Sequence, residues 1–411
     1  MKDKKRFWVI DPYCAIPSDD WGYRHALSIC DAFSNGKYEI VYITANFSHS
    51  TKKKRGFDWE VIEYNEYCKI ILVPTREYRR HIELRRLLWL RDFGDGINKL
   101  FSNKQKPDLV YYPAPLIFGD SIVSKFKKKL GFKLIIDIRD LWPEILINRF
   151  ESNIIRKILT FLTLPIFMAR NVAVKASDAI TAPSEAYLEK MNAPGKLKYV
   201  VYYSSVDVDQ LKRSMSYDIA LPIEKKIGEY WVVMTGTLGD GLDIQAIINA
   251  ARLFKTRDTS IRIVVTGDGA RREAIVKAKQ RYSLFNLQYL GVLPLEQLHR
   301  LYHYSDIGLS AYRAGSTVVM PTKAYEYVSA GLPMVNSLEG DFADFIDKNK
   351  IGLNYMAADG EDLARCILKI RSEKSLQSEF KDNLIRIRNL FDRKIQYETY
   401  LNIANKLLSK G

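Results

Sequence analysis

The chain has 411 residues, 47% of them hydrophobic, which is more than one ordinary core needs and fits a folded protein of two domains. Its net charge of +15 is uneven: 34 basic against 23 acidic residues in 1–200, but 29 against 25 in 201–411. The four scattered cysteines (Cys14, Cys30, Cys68, Cys366) exclude a disulfide framework and a Cys/His zinc site, and no recognition motif for nucleic acid accompanies the basic runs.

The opening MKDKKRFWVIDPY lacks the apolar core of a secretory signal, so a cytoplasmic protein is expected. Short β-branched and aromatic runs at Phe7–Ile10, Ile40–Thr44, Ile70–Val73, Leu109–Tyr112, Leu134–Asp137, Ile180–Ala182 and Val200–Tyr203 predict buried strands separated by helices. Trp21-Gly22-Tyr23-Arg24-His25 opens the first helix and makes Gly22, Arg24 and His25 candidate acceptor contacts; His25 reads equally as a surface residue of that helix.

Three basic features follow, at Lys52–Arg55, from Arg79-Arg80 through Arg85-Arg86 to Arg91 among Leu84, Leu87, Leu88 and Trp89, and at Lys125–Lys129. Each is a solvated helix face or an attraction for an anionic membrane surface, and their shared half favours the membrane. Asp137-Ile138-Arg139-Asp140-Leu141-Trp142-Pro143-Glu144 ends a strand and makes Arg139 and Asp140 catalytic candidates, unless they form an ion pair that braces the loop. The weakly charged stretch Ile158–Ala169, interrupted by Pro165, is shorter than the roughly 20 residues that cross a bilayer.

Residues 206–229 show no clear period and read as a linker, with the domain boundary near 215. Strand patterns resume at Trp231–Met234, Ile261–Val265, Leu287–Leu290, Ile307–Leu309 and Met334–Val335. The fold class is therefore α/β, two doubly wound Rossmann-like parallel sheets, in which anions bind where loops leave the carboxyl ends of strands and helix N-termini point at them.

On that rule Gly236, Thr237, Gly239 and Gly241 form a glycine loop able to approach a diphosphate, while Gly267, Asp268, Gly269 and Arg271-Arg272 follow the next strand. The segment from Ser316 to Pro333 starts a helix at Pro321, Thr322 and Lys323 that can meet phosphates, with Glu326 one turn on for ribose hydroxyls; an ordinary Lys–Glu surface pair is the alternative.

With Thr44 to His49, Thr181-Ala182-Pro183-Ser184 and the run Gly331 to Leu338, these motifs resemble glycosyltransferase family 4, retaining enzymes of the GT-B fold, over nearly the whole chain. The likeness is to the branch of bacterial surface-polysaccharide and N-acetylfucosamine-type transferases. It implies two domains facing a central cleft, 1–214 for the acceptor and 215–390 for the nucleotide sugar, with helix 391–411 crossing back to the first. It further implies that Glu326 holds the donor ribose, that the diphosphate of a UDP-, GDP- or dTDP-sugar meets the Gly236 and Lys323 loops, and that Lys323 shares catalysis with Arg139 and Asp140. The implied acceptor is a polyprenyl-diphosphate-linked or other glycan at the inner face of the cell membrane, with no cofactor, no metal and no nucleic acid.

The motif departs from the family where Val318 stands eight residues before Glu326 in place of a glutamate, and where Thr237 and Gly239-Asp240-Gly241 replace loop cations. A catalytically silent nucleotide-sugar-binding subunit and a GT-B nucleotide-sugar epimerase are the alternatives.

Overall fold

The computed structural model describes residues 4–409, apart from 20, 21, 23, 81, 82, 104, 105, 149, 151, 204 and 205, and the chain divides into two units, 1–204 with 396–411, and 205–395. Trp21 and Tyr23 lie outside the described residues.

The first unit contains β1 (Lys5–Ile10), α1 (His25–Phe33), β2 (Tyr38–Ala45), β3 (Glu60–Asn65), β4 (Cys68–Val73), α2 (Leu84–Ser102), β5 (Leu109–Pro113), α3 (Gly119–Leu130) and β6 (Lys133–Asp137). It continues through α4 (Glu144–Ile147), α5 (Asn153–Leu162), α6 (Leu164–Ala176), β7 (Ala179–Ala182), α7 (Glu185–Lys190) and β8 (Leu197–Val200). The sheet order is β3-β4-β2-β1-β5-β6-β7-β8, with Phe7 of β1 in register with Ile40 on one side and Leu109 on the other.

All neighbours in this sheet are parallel except β3, which pairs antiparallel with β4 at the edge. Alternation along β1 sends Phe7 and Val9 to α1 and the C-terminal helix (Arg393–Leu408), and Trp8 to the opposite face, where its ring lies 4.9 Å from Phe101. Phe101 in turn stacks 5.1 Å from Phe126, so α2 and α3 close that face together with α6. Each such fully buried side chain contributes roughly 1.5–3 kcal/mol relative to exposure.

Two sequence expectations are corrected here. The strand expected at Val200–Tyr203 is shifted to Leu197–Val200, because Val201 to Tyr203 turn toward the C-terminal helix, with the Tyr202 amide donating to Gln396 Oε1 at 2.8 Å. Residues 208–216 of the expected linker form α8 (Val208–Ser216), capped by Asp207 through the Gln210 amide. Val208, Leu211 and Ser214 recur every third residue and bury one face of α8 against the second unit's helices, which moves the break to 204/205.

The second unit continues with β9 (Tyr230–Thr235), α9 (Ile244–Arg257), β10 (Ile261–Thr266), α10 (Arg272–Arg281), β11 (Leu287–Tyr289), α11 (Leu295–Tyr304) and β12 (Ile307–Ser310). After these come α12 (Thr322–Ala330), β13 (Met334–Asn336), α13 (Asp341–Asn349), β14 (Gly352–Asn354), α14 (Gly360–Ser372) and α15 (Lys374–Ile387). Its strands are all parallel in the order β11-β10-β9-β12-β13-β14. That is the Rossmann order 3-2-1-4-5-6. Among the described residues no single helix is long and apolar enough to cross a membrane.

Candidate functional site

In the second unit the strand order reverses between β9 and β12, where the loops of the two adjacent strands part and open a crevice at the carboxyl end of the sheet. The glycine loop 236–241 stands on one side and the segment 311–321, leading into α12, on the other. They are laced together by the Asp243 amide on Ala311 O (3.1 Å) and the Arg313 amide on Gly241 O (2.9 Å).

The glycines divide by role. Gly267 has φ +127°, and a Cβ there would lie 1.8 Å from the Gly236 carbonyl oxygen, so Gly267 supports the glycine loop from below. Gly236 (φ +122°) lies under the Lys323 side chain, whose Cγ would be 3.4 Å from an added Cβ. Nothing lies within 4 Å of a Cβ built on Gly239 or Gly241, so this part of the loop borders open space.

The amides of Gly236, Leu238, Gly239 and Leu242 donate within the protein, whereas those of Thr237, Asp240 and Gly241 have no partner among the described residues. Across the crevice Pro321 is the N-cap of α12, and no side chain caps that helix, which leaves the Thr322 and Lys323 amides facing outward at the positive end of its dipole. Free N–H groups from two loops, with one lysine between them, form a receptor for an anion. Ser316, half-buried, holds the approach to α12 in a turn by accepting from the Val318 amide at 3.4 Å.

Lys323 Nζ is 3.0 Å from Glu326 Oε1, so the pair expected from the i,i+3 spacing is formed. Glu326 Oε2 accepts a short hydrogen bond from Tyr302, whose hydroxyl is 3.1 Å from Thr235 Oγ1; Thr235 also contacts the Tyr327 hydroxyl through its amide at 3.0 Å. This buried relay fixes one oxygen of Glu326 and leaves the other held only by a lysine at the surface. Beneath it, His299 is buried with Nδ1 unpartnered among the described residues, and burial lowers its pKa first, so the ring is neutral. Ser310 Oγ, at the end of β12, is likewise buried without a partner.

Arg271 pairs with Asp240 at 2.9 Å and Arg272 with Asp268 at 3.6 Å, both exposed. The two cations expected to flank an anion are thus each partly neutralised, and Lys323 stands nearest the free amides.

In the first unit the loop after β6 forms no Arg139–Asp140 pair among the described residues, so that alternative to a catalytic role falls away. Arg139 turns inward, donating to Asp11, to Asp137 Oδ2 (2.9 Å) and to the Tyr111 hydroxyl (2.7 Å). Asp137 also accepts from Tyr111 (2.6 Å) and Thr181 (2.6 Å). Burial alone would raise the Asp137 pKa, but His25 and the Arg139 charge override it and hold the carboxylate well below its ordinary range. Asp140 is exposed, with no side-chain partner among the described residues.

His25 is neither an exposed acceptor contact nor a surface histidine. It is buried under the C-terminal helix, with Nδ1 2.7 Å from the Tyr397 hydroxyl and Nε2 3.1 Å from that of Tyr111, and burial with the nearby Arg139 charge lowers its pKa. The same burial applies to Cys14, whose thiol is pushed up to about 12 and donates to Asp11 at 3.1 Å, which removes it as a nucleophile. Arg24, the N-cap of α1, is exposed, and Gly22 (φ +140°) packs its loop against Ala15 and Ser50. Gly22 and Arg24 therefore remain near the carboxyl edge of this sheet with Asp140.

Asp11, Tyr111, Tyr302 and Thr235 were not singled out from sequence. Asp11 and Thr235 do end or follow first strands, the positions the carboxyl-end rule selects, whereas Tyr111 and Tyr302 sit inside apolar runs and carry no linear signal.

Residues 229–373 match the model of the family described as Glycosyl transferases group 1, which spans the crevice and α12. Over 278 residues, 62% of this chain, the sequence is 24% identical to chitobiosyldiphosphodolichol beta-mannosyltransferase of Kluyveromyces lactis. Over 271 residues, 60% of this chain, it is 21% identical to a glycosyl transferase assigned to colanic acid biosynthesis, WcaI, of Escherichia coli. These matches span 61% and 62% of the length of those two relatives. Among solved structures, sucrose-phosphate synthase from Thermosynechococcus elongatus superposes with a TM-score of 0.71 at 14% identity, covering 99% of this chain and all of that one. The Anabaena protein Alr3699/HepE, solved in complex with UDP-glucose, gives 0.63 at 14% identity over 98% and 99% of the two chains. The two units thus have the GT-B fold, and the second contains the segment that matches the group 1 model.

Proposed function

We infer that this chain is a glycosyltransferase that moves a sugar from a nucleotide-diphosphate donor, bound at the crevice of the second unit, to a glycan or lipid-linked acceptor. The observation that carries the reading is the set of free amides at Thr237, Gly241, Thr322 and Lys323 around one lysine, within the segment that matches the group 1 family. When the diphosphate binds, Lys323 exchanges Glu326 for phosphate oxygens, and the freed Glu326 Oε1 accepts from ribose hydroxyls while Tyr302 keeps Oε2 in place. Developing charge on the leaving diphosphate is then stabilised by fixed dipoles and one cation, the kind of electrostatic contribution that dominates such reactions.

Retention at the anomeric carbon, with a departing phosphate oxygen taking the acceptor proton, is the mechanism the family likeness favours. Asp140, with Arg24 and Gly22 at the same sheet edge, is assigned to the sugar or acceptor; Arg139 acts as a positioning residue that holds this loop through Asp11 and Asp137. The name of the colanic acid relative supports a role in bacterial surface polysaccharide synthesis, and that of the dolichol-linked relative supports a diphosphate-lipid acceptor; the basic excess of the first half favours its presentation at the inner face of an anionic membrane.

The test is to incubate the purified chain with UDP-, GDP- and dTDP-sugars, with and without a polyprenyl-diphosphate-linked glycan. Acceptor-dependent release of the nucleoside diphosphate that drops about 100-fold or more in Glu326→Ala is expected. Full turnover by Glu326→Ala would remove the donor assignment. Binding without turnover would point to a silent subunit, and conversion of the sugar without acceptor to an epimerase.

A further inference from the structure

The helices α5 and α6 of the first unit expose a continuous apolar surface. No residue of α5 is buried, although its sequence NIIRKILTFL is strongly amphipathic. Ile154 (72% exposed), Ile155, Ile158, Phe161 (76%) and Leu162 (65%) recur at the i, i+1, i+4, i+7 and i+8 spacing that places them on one side of the helix; Lys157 flanks the stripe, while Arg156, on the far side, donates to Asn148 Oδ1 at 2.9 Å. Leu164, Met168 and Val172 extend the exposed surface along α6. A monomeric soluble protein rarely leaves so many adjacent large apolar side chains in water.

This pair is not a span. Each helix is shorter than the roughly 20 residues a bilayer demands. They meet at 56°, and the opposite side of α6 is buried through Ala169, Ala173 and Val174, with Arg170 paired to Glu144 at 2.7 Å. The apolar stripe therefore lies along a surface.

Charge says which surface. From Ser152 to Ala176 there is no acidic residue. α6 packs beside α3 and α3 beside α2, so the exposed Lys125, Lys128 and Lys129 of α3 and the exposed Arg85 and Arg91 of α2 belong to the same helical layer. Because β4, β5 and β6 are parallel, they deliver α2, α3 and the α4–α5 segment to the same sheet edge. Leu84, Leu87 and Phe118, the exposed apolar residues at the starts of α2 and α3, therefore share an edge with α5.

We propose that α5, with the first turns of α6, lies in the headgroup layer of an anionic lipid bilayer, its Ile154–Leu162 stripe inserted and the cations of α2, α3 and α5 set against lipid phosphates. An amphipathic helix with bases beside its apolar stripe binds such an interface by area and charge together. The inference rests on the reading of a membrane-presented acceptor and names the element that reaches it. It would place Asp140, Gly22 and Arg24, on loops at the same edge, close to a lipid-borne diphosphate.

The test uses the full chain with vesicles of phosphatidylcholine alone or mixed with about one third phosphatidylglycerol, at low and high salt. Partition to the anionic vesicles is expected, with a loss of about ten-fold or more in Ile158→Glu/Phe161→Glu, a smaller, salt-sensitive loss in Lys157→Gln, and no change in Ile227→Glu, an exposed apolar site of the second unit. Since all four cysteines are buried, a polarity-sensitive dye on Phe161→Cys reports insertion directly and is expected to shift to the blue with anionic vesicles only.

Wild-type protein that ignores anionic vesicles, double-glutamate protein that pellets like wild type, or an unshifted dye overturns the proposal. So does a wild-type dimer that becomes a monomer in the double-glutamate variant without any vesicle binding, because a second copy would then own the surface. Stabilisation by a nucleoside diphosphate, measured on the same samples, is expected to be equal in wild type and the double-glutamate variant. Its absence from both, with vesicle binding intact, would count against the donor site and not against docking.

Discussion

The His25 ring is enclosed by the hydroxyls of Tyr397, Tyr111 and, at 3.3 Å, Tyr400, and faces the ionised Asp137 at 3.6 Å. Its pKa is lowered by burial and by Arg139, so the folded protein resists protonating it. The unfolded chain takes up that proton near pH 6.5, hence stability is complete above that value and falls on acidification by up to about 1.4 kcal/mol per pH unit until the folded pKa is reached. Asp137, with a depressed pKa, contributes in the same direction but in a lower window, below about pH 4. Asp120, raised to about 6 by burial, acts oppositely and equally in both proteins compared, so the difference isolates His25. Urea unfolding at pH 7, 6 and 5 is expected to show a steeper loss for wild type than for His25→Gln; parallel slopes would mean that His25 takes up its proton equally in the folded and unfolded chain.

At the scale of elements, the glycine loop is held up by its neighbour. Gly267→Ala forces a Cβ into the Gly236 carbonyl at a backbone angle that L residues rarely adopt, and it should cost roughly 3 kcal/mol or more and abolish nucleotide binding. Gly239→Ala, with open space around it, should change stability by less than about 1 kcal/mol. Thermal unfolding of both variants checks this, and equal losses would show that the loop is not packed as described. The C-terminal helix buries Tyr397, Tyr400, Ile403 and Leu407 in the first unit, so a chain ending at 392 should lose that unit's cooperative unfolding, as read by urea titration of its near-ultraviolet signal. Strand positions were legible because buried parallel strands are continuous apolar runs. Two edge strands were not: β3, half exposed with the sequence EVIEYN, and the three-residue β14 lack that signature. The helix α8 hid inside an apparent linker because its apolar spacing covers just nine residues.

At the scale of the molecule, two separate cores imply two unfolding steps, and a nucleotide bound in the second unit at 100 times its Kd should stabilise that unit alone by about 2.7 kcal/mol. Calorimetric scans with and without ligand read this as a shift of one transition. The residues of the proposed donor site carried a linear signal: Gly236 directly follows β9, and Lys323 and Glu326 lie in the first turns of α12, the helix that the loop after β12 leads into. The inward turn of Arg139 and the burial of His25 carried none, because their partners Asp11, Tyr111 and Tyr397 come from the end of β1, from β5 and from the C-terminal helix, 28 to 372 residues away, and only the fold assembles them.

The proposed transfer depends on an anion docking at the start of α12. Titration calorimetry of UDP, GDP, dTDP, ADP and CMP into wild type and Lys323→Ala measures it most directly. At least one diphosphate is predicted to bind and to lose about 10- to 100-fold in affinity in the variant, the effect of removing one charged hydrogen bond, with Arg24→Ala unchanged. A diphosphate that binds both proteins equally would place the donor elsewhere and contradict the role of Lys323.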